Sequence, residues 1–169
     1  MKDSAPMKDS GAISILEELH RLESTSFIRY LVEMSRPPIV SDTDRKALAL
    51  YQDLYRDSER NVQALGQLLA DADIVPVEPR WPLVYTTYNF LRPLYLLGPL
   101  HERMRLQLEQ VESKSKALDA RDWSEAKEVM GTVLRRERAA LERLDKAVAE
   151  TPKEDPEPAR VKGTSASRW

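Results

Sequence analysis

The 169-residue chain contains no cysteine, which excludes disulfides, thiolate metal sites and thiol chemistry. Histidine is scarce, with only His20 and His101, and glycine occurs five times. Neither sign of charge dominates, since 26 basic and 28 acidic residues leave a formal net charge of −2. That balance gives no reason to expect a nucleic acid or an anionic membrane surface as partner. No apolar run approaches the length of a membrane span, and the N-terminus lacks the apolar core of a signal peptide. The sequence also has no Gly-rich phosphate loop, no spacing that suggests a Ser–His–Asp arrangement and no metalloprotease motif. These absences predict a soluble cytoplasmic protein with neither a membrane nor a nucleic-acid partner.

Hydrophobic residues make up 41% of the chain and charged residues 32%, a globular and helix-rich composition in a length that suits one domain. The opening MKDSAPMKDSG repeats MKDS and reads as a disordered leader over residues 1–11. An all-α body is expected over 12–150. Helix A is expected over 12–35, stopped by Arg36-Pro37-Pro38. Helix B, over 42–73, starts at Ser41, with Asp44 spaced as a capping-box partner. Residues 75–99 hold five prolines and five aromatics. That is too much proline for one regular helix and too apolar a stretch for a solvated linker, so it reads as a long crossover packed along a bundle. Helix C follows over 100–118, and the link DARDWSE offers Asp122 and Glu125 as a capping box for helix D over 123–150. The polar, proline-rich remainder, 151–169, reads as a disordered tail. Short A–B and C–D links with a long B–C connection predict a four-helix bundle of two antiparallel hairpins joined by one crossover.

The apolar stripes of these helices contain polar residues where leucine would be expected. In helix A, Leu16, Leu19, Glu23, Phe27, Tyr30 and Met34 recur at helical spacing, and Glu23 lies mid-stripe. Helix D repeats the pattern, with Glu137 at the centre of Ala126, Met130, Val133, Leu141, Leu144 and Val148. An ionised carboxylate buried in such a stripe costs several kcal/mol unless a cation, a metal or hydrogen-bond donors meet it. In helix B the stripe reads Leu48, Tyr51, Tyr55, Val62, Leu65 and Leu69, with Ser58 one turn before Val62 and Glu59 toward the flank. In helix C the central polar residue is Gln107. Three readings follow. Tyr30, Tyr51, Tyr55, Ser58 and Gln107 can close a buried hydrogen-bond network around the two carboxylates. Alternatively, His20, Glu23, Glu137, Glu59 and His101 can supply a non-standard metal site. In the third, the perturbed carboxylates serve a small-molecule or proton-transfer site.

Over about 12–150 the chain resembles the ferritin-like superfamily. LHRLESTSFIRYLVEMS is similar to that family's first helix, in which a ligand Glu precedes an aromatic by about two turns, here Glu23 and Tyr30. In the family, helices A and C each give one Glu, and B and D each give Glu-x-x-His, together holding two metals. Carried over, Glu23 matches the ligand of helix A and Glu137 the Glu of helix D, with Ala140 in the following histidine position. In helix B the match is Glu59 with Val62, or, one residue earlier, Ser58 with Asn61. Helix C has no inward Glu. The resemblance therefore implies a ferritin-like bundle with a degenerate di-metal carboxylate ligand set.

The expected function is a binding or structural component, more consistent with a non-enzyme, with no cofactor and with a homodimer as the assembly. The alternative is a metal-binding oxidoreductase or iron-handling protein that uses iron or another divalent transition metal at an altered carboxylate/His site. A third reading is an adaptor or cargo that docks into a protein partner through its C-terminal tail, which ends in Arg168-Trp169.

Overall fold

The computed structural model of the protein describes residues 9–77 and 80–151. The first MKDS, the first two residues of the second and all of the expected tail beyond Thr151 lie outside these residues. The chain forms five α-helices, α1 (Ser10–Ser24), α2 (Phe27–Glu33), α3 (Asp42–Ala70), α4 (Pro93–Asp119) and α5 (Ser124–Glu150). A 3₁₀ helix (Leu83–Tyr88) interrupts the α3–α4 crossover. No strand occurs among the described residues.

The helix ends follow local chemistry, and several depart from the sequence expectation. The first helix begins inside the stretch assigned to a leader, because the Asp9 carboxylate accepts from the Gly11 N–H at 2.8 Å and satisfies one otherwise orphaned donor. The expected single helix over 12–35 is instead two, broken at Thr25-Ser26. Ser24-Thr25-Ser26 offers three hydroxyls that compete with the helical ladder. Thr25 Oγ1 donates back to the Arg21 carbonyl at 2.8 Å, and Ser26 turns extended with its hydroxyl facing Ser58 at 3.4 Å. The next helix, α3, opens with a reciprocal Ser41–Asp44 capping box. Helix α4 starts seven residues earlier than the expected 100, with Pro93 at the helix-compatible first turn and Pro99 inside it. Burial of Leu94, Leu96, Leu97 and Leu100 outweighs the hydrogen bond that Pro99 cannot donate. The proposed Asp122 cap of the last helix is absent, because Trp123 occupies the N-cap and no side chain caps α5.

Asp44 does more than cap α3. It is fully buried and accepts from the Val40 and Leu94 N–H groups at 2.9 and 3.3 Å and from Arg92 Nε at 3.0 Å. One carboxylate thereby ties the α2–α3 link to the end of the crossover. Burial works against its charge, but the hydrogen bonds from Val40, Arg92, Leu94 and Ser41 hold its pKa below the ordinary aspartate value.

The apolar interior is divided into two clusters. One takes Phe27, Ile28 and Leu31 of α2, Ala47, Tyr51 and Leu54 of α3, Leu96, Leu97, Leu100 and Met104 of α4, and Ala140 and Leu144 of α5. The other takes Ala12, Leu16 and Leu19 of α1, Leu65, Leu68 and Leu69 of α3, Val111 and Leu118 of α4, and Ala126, Met130 and Val133 of α5. Between the two, every long helix contributes buried polar residues.

Candidate functional site

The dividing layer is made of Glu23 and Ser26 at the α1–α2 break, Ser58 and Asn61 on α3, Gln107 on α4 and Glu137 on α5, all buried. Glu23 and Asn61 are 0% exposed, Glu137 5% and Gln107 9%, so water screens none of them well. Asn61 Nδ2 donates to Glu137 Oε1 at 3.1 Å, and Gln107 Nε2 reaches Glu137 Oε2 at 3.5 Å. Arg136 Nη1 donates to Asn61 Oδ1 at 3.4 Å, which orients the amide so that its nitrogen points at the carboxylate. Glu137 is therefore met on both oxygens. Glu23 is not: neither of its oxygens meets a donor in regular hydrogen-bond geometry, although the Asn61 and Gln107 amides lie close enough to favour its charged form.

That asymmetry sets the protonation of the pair. Burial, and then the neighbouring Glu137 carboxylate, push the Glu23 carboxyl well above the ordinary glutamate value. The amides of Asn61 and Gln107 and the Arg29 guanidinium pull it the other way without cancelling the rise. Burial raises Glu137 to about 7 against the Asn61 hydrogen bond, with a further push from Asp57. Both carboxyls are therefore pushed toward the protonated form, and they titrate as a coupled pair, above the range of exposed glutamates.

The other residues singled out from the sequence are placed elsewhere. Tyr30, Tyr51 and Tyr55 do not close the network around the carboxylates. The Tyr30 hydroxyl donates to Asn89 Oδ1 at 2.5 Å in the crossover, since the break after Ser24 removes the simple helical relation between Glu23 and Tyr30. Tyr51 donates to the Pro93 carbonyl at 2.6 Å. Tyr55 lies under the Arg29 guanidinium, 5.2 Å from its ring centre, and its hydroxyl is engaged by Glu33. His20 is half-buried against Gly66 of α3, with Nδ1 3.5 Å from Ser24 Oγ. Burial first, then Arg29, lowers its pKa and keeps it neutral. Glu59 stands half-buried on the flank of α3, where its charge bears on Tyr55. His101 pairs with Asp145 at 2.5 Å on the outside of α4 and α5. Of the predicted supporting residues, Ser58 and Gln107 do reach the layer.

Asn61 is the residue the stripe analysis missed. The buried face of α3 runs Leu54, Ser58, Asn61 and Leu65, one step round from the Tyr55–Val62 line, and Val62 is only half-buried. Its steps of four, three and four are helical, so the signal was present beside a more apolar competitor. No three His, Asp or Glu side chains among the described residues converge in a way that could hold a metal ion. The layer has two carboxylates, two amides and two hydroxyls and no imidazole, which does not fit a di-iron donor set. No protein-family model, curated protein or solved structure matches the chain. No helix among the described residues is long and apolar enough to cross a membrane.

Proposed function

We propose that this protein is a ferritin-like bundle whose di-metal centre has been replaced by a metal-free hydrogen-bonded layer, and that it acts as a binding or structural component. The observation that carries this reading is positional. Glu23, Ser58 with Asn61, Gln107, and Glu137 with Ala140 are all buried at the boundary between the two apolar clusters. One residue from the first and third long helices and a pair three apart from the second and fourth is the ligand pattern of ferritin-like carboxylate proteins. Here serine, asparagine, glutamine and alanine take four of the six places. The topology supports the same reading. The Phe27 cluster receives the N-terminal halves of α3 and α4 and the C-terminal half of α5, so α3 and α4 run in one sense and the crossover spans the bundle.

Such a layer is costly to build and must be tolerated or used for something other than stability, because isosteric apolar residues would be cheaper. A ligand-responsive or assembly scaffold fits, and a homodimer remains our proposed assembly. The partnerless oxygens of Glu23 favour one second reading, in which a divalent ion sits between the carboxylates and gives an altered metal site. The test is metal analysis of protein purified without chelator, with thermal melts of the wild type with and without chelator. Metal-free protein with unchanged melts is the expected result. Stoichiometric iron, manganese or zinc with a chelator-sensitive melting temperature would replace the first reading by the second.

A further inference from the structure

Two adjoining cavities of about 290 and 200 Å³ run along α1 and α4 beneath the crossover and share Leu22, Thr25 and Gln110 as a common wall. Arg21 and Lys114 line the first and Arg103 the second, with Arg80 of the crossover above the first. Among the described residues, Glu18 is the one acidic residue in either lining, and Lys114 neutralises it. The cleft therefore has an excess of positive charge in a protein whose overall charge is slightly negative.

Three of the four cleft cations lack a carboxylate partner, whereas many surface arginines have one. Arg45, Arg56, Arg60, Arg105, Arg138 and Arg143 each hold a carboxylate. Among the described residues, Arg21, Arg80 and Arg103 form no ion pair; the same holds for Arg36, Arg135 and Arg136 elsewhere, of which each donates to a neutral group instead. Arg103 is half-buried, and its guanidinium lies over the Tyr85 ring, 5.6 Å from the ring centre. Around it the second cavity mixes apolar and hydrogen-bonding walls, with Leu22, Phe27, Pro82 and Tyr85 against Thr25 and the amides of Gln107 and Gln110.

We infer that this cleft binds a small organic anion carrying a carboxylate or phosphate group on a short, apolar or planar body. Arg103 and Arg21 hold the anionic group by charge-assisted hydrogen bonds, and the body packs against Tyr85, Phe27 and Leu22. Gln107 makes the floor of the cleft and also donates to Glu137, so one amide joins the ligand to the buried carboxylate layer. This goes beyond the metal-free scaffold reading and does not depend on it, because no cleft cation belongs to the layer.

The test is calorimetric titration of the full chain with phenyl phosphate, benzoate, inorganic phosphate and neutral benzyl alcohol. It is repeated on Arg103→Gln, Arg21→Gln and the off-cleft control Arg105→Gln. Phenyl phosphate or benzoate is expected to bind one site per chain. Affinity should fall about tenfold or more in each cleft variant, stay within twofold in the control, and weaken with salt. The carboxylate and phosphate probes distinguish the two headgroups. Absence of binding by both organic anions at millimolar concentration would overturn the inference, as would equal binding by Arg103→Gln. Inorganic phosphate binding as tightly as phenyl phosphate would overturn the role assigned to the apolar wall. Thermal melts of each variant confirm that it is folded, and a variant that fails to fold is replaced by Arg103→Lys, which keeps the charge but loses the planar fork and is expected to bind more weakly than wild type.

Discussion

Replacing Glu137 by glutamine separates charge from shape in the buried layer. The variant keeps the side-chain volume and an oxygen for Asn61 while removing the ionisable group, and Gln107 can present either face of its amide to the new one. The folded protein raises Glu137 from the ordinary 4.5 to about 7. A raised carboxyl value means that the unfolded chain releases its proton more readily than the folded one. The wild type therefore has no penalty below about pH 4.5, loses stability progressively as pH rises, and carries the full penalty above about pH 7. With 1.36 kcal/mol for each pH unit of difference, that penalty is about 3 kcal/mol at neutral pH. Glu23 is present in both proteins but loses the push of the Glu137 carboxylate in the variant, so the difference between them reports the coupled pair, with Glu137 as the group removed. Urea denaturation followed by tryptophan fluorescence between pH 4.5 and 8 is the assay. Glu137→Gln is expected to match the wild type at the acid end and to exceed it by about 3 kcal/mol at pH 7.5, roughly 6–12 °C in melting temperature. A difference that does not change with pH would refute the reasoning. A variant less stable than wild type at pH 7 would show instead that the carboxylate is held charged by a bound cation.

The double change Glu23→Gln with Glu137→Gln is expected to hold or raise the melting temperature and to leave it indifferent to chelator, checked by differential scanning calorimetry. Asp44→Ala removes the shared acceptor of Val40, Arg92 and Leu94 and should cost about 3–5 kcal/mol in urea melts, while exposed Asp42→Ala should cost under about 1. Because the Asp44 pKa is lowered on folding, its contribution is present above the unfolded aspartate value and is lost as pH falls through the folded one. Leu65→Ala opens a void in the cluster built on α1, α3, α4 and α5, where Leu65 is fully buried, and should cost about 2–5 kcal/mol by the same assay.

The sequence by itself determined the all-α class, because amphipathic periodicity and the capping box at Ser41 are local signals that need no partner. It also identified Glu23 and Glu137, since a carboxylate in mid-stripe is anomalous whatever the stripe packs against. Tertiary structure decided the rest. Hydroxyls at 24–26 weaken a helix, but only the Ser26–Ser58 contact and burial of Phe27 and Tyr30 in the crossover cluster make a break there favourable. Prolines at 93 and 99 argue locally against an early start to α4, and four buried leucines override them. On α3 two neighbouring stripes were both helical. Packing against α1 and α5 chose the one through Ser58 and Asn61, because Glu137 needed a donor that Val62 could not supply. Periodicity gives the face of a helix to within a residue or so, but only the opposing side chains settle which residue lies at its centre.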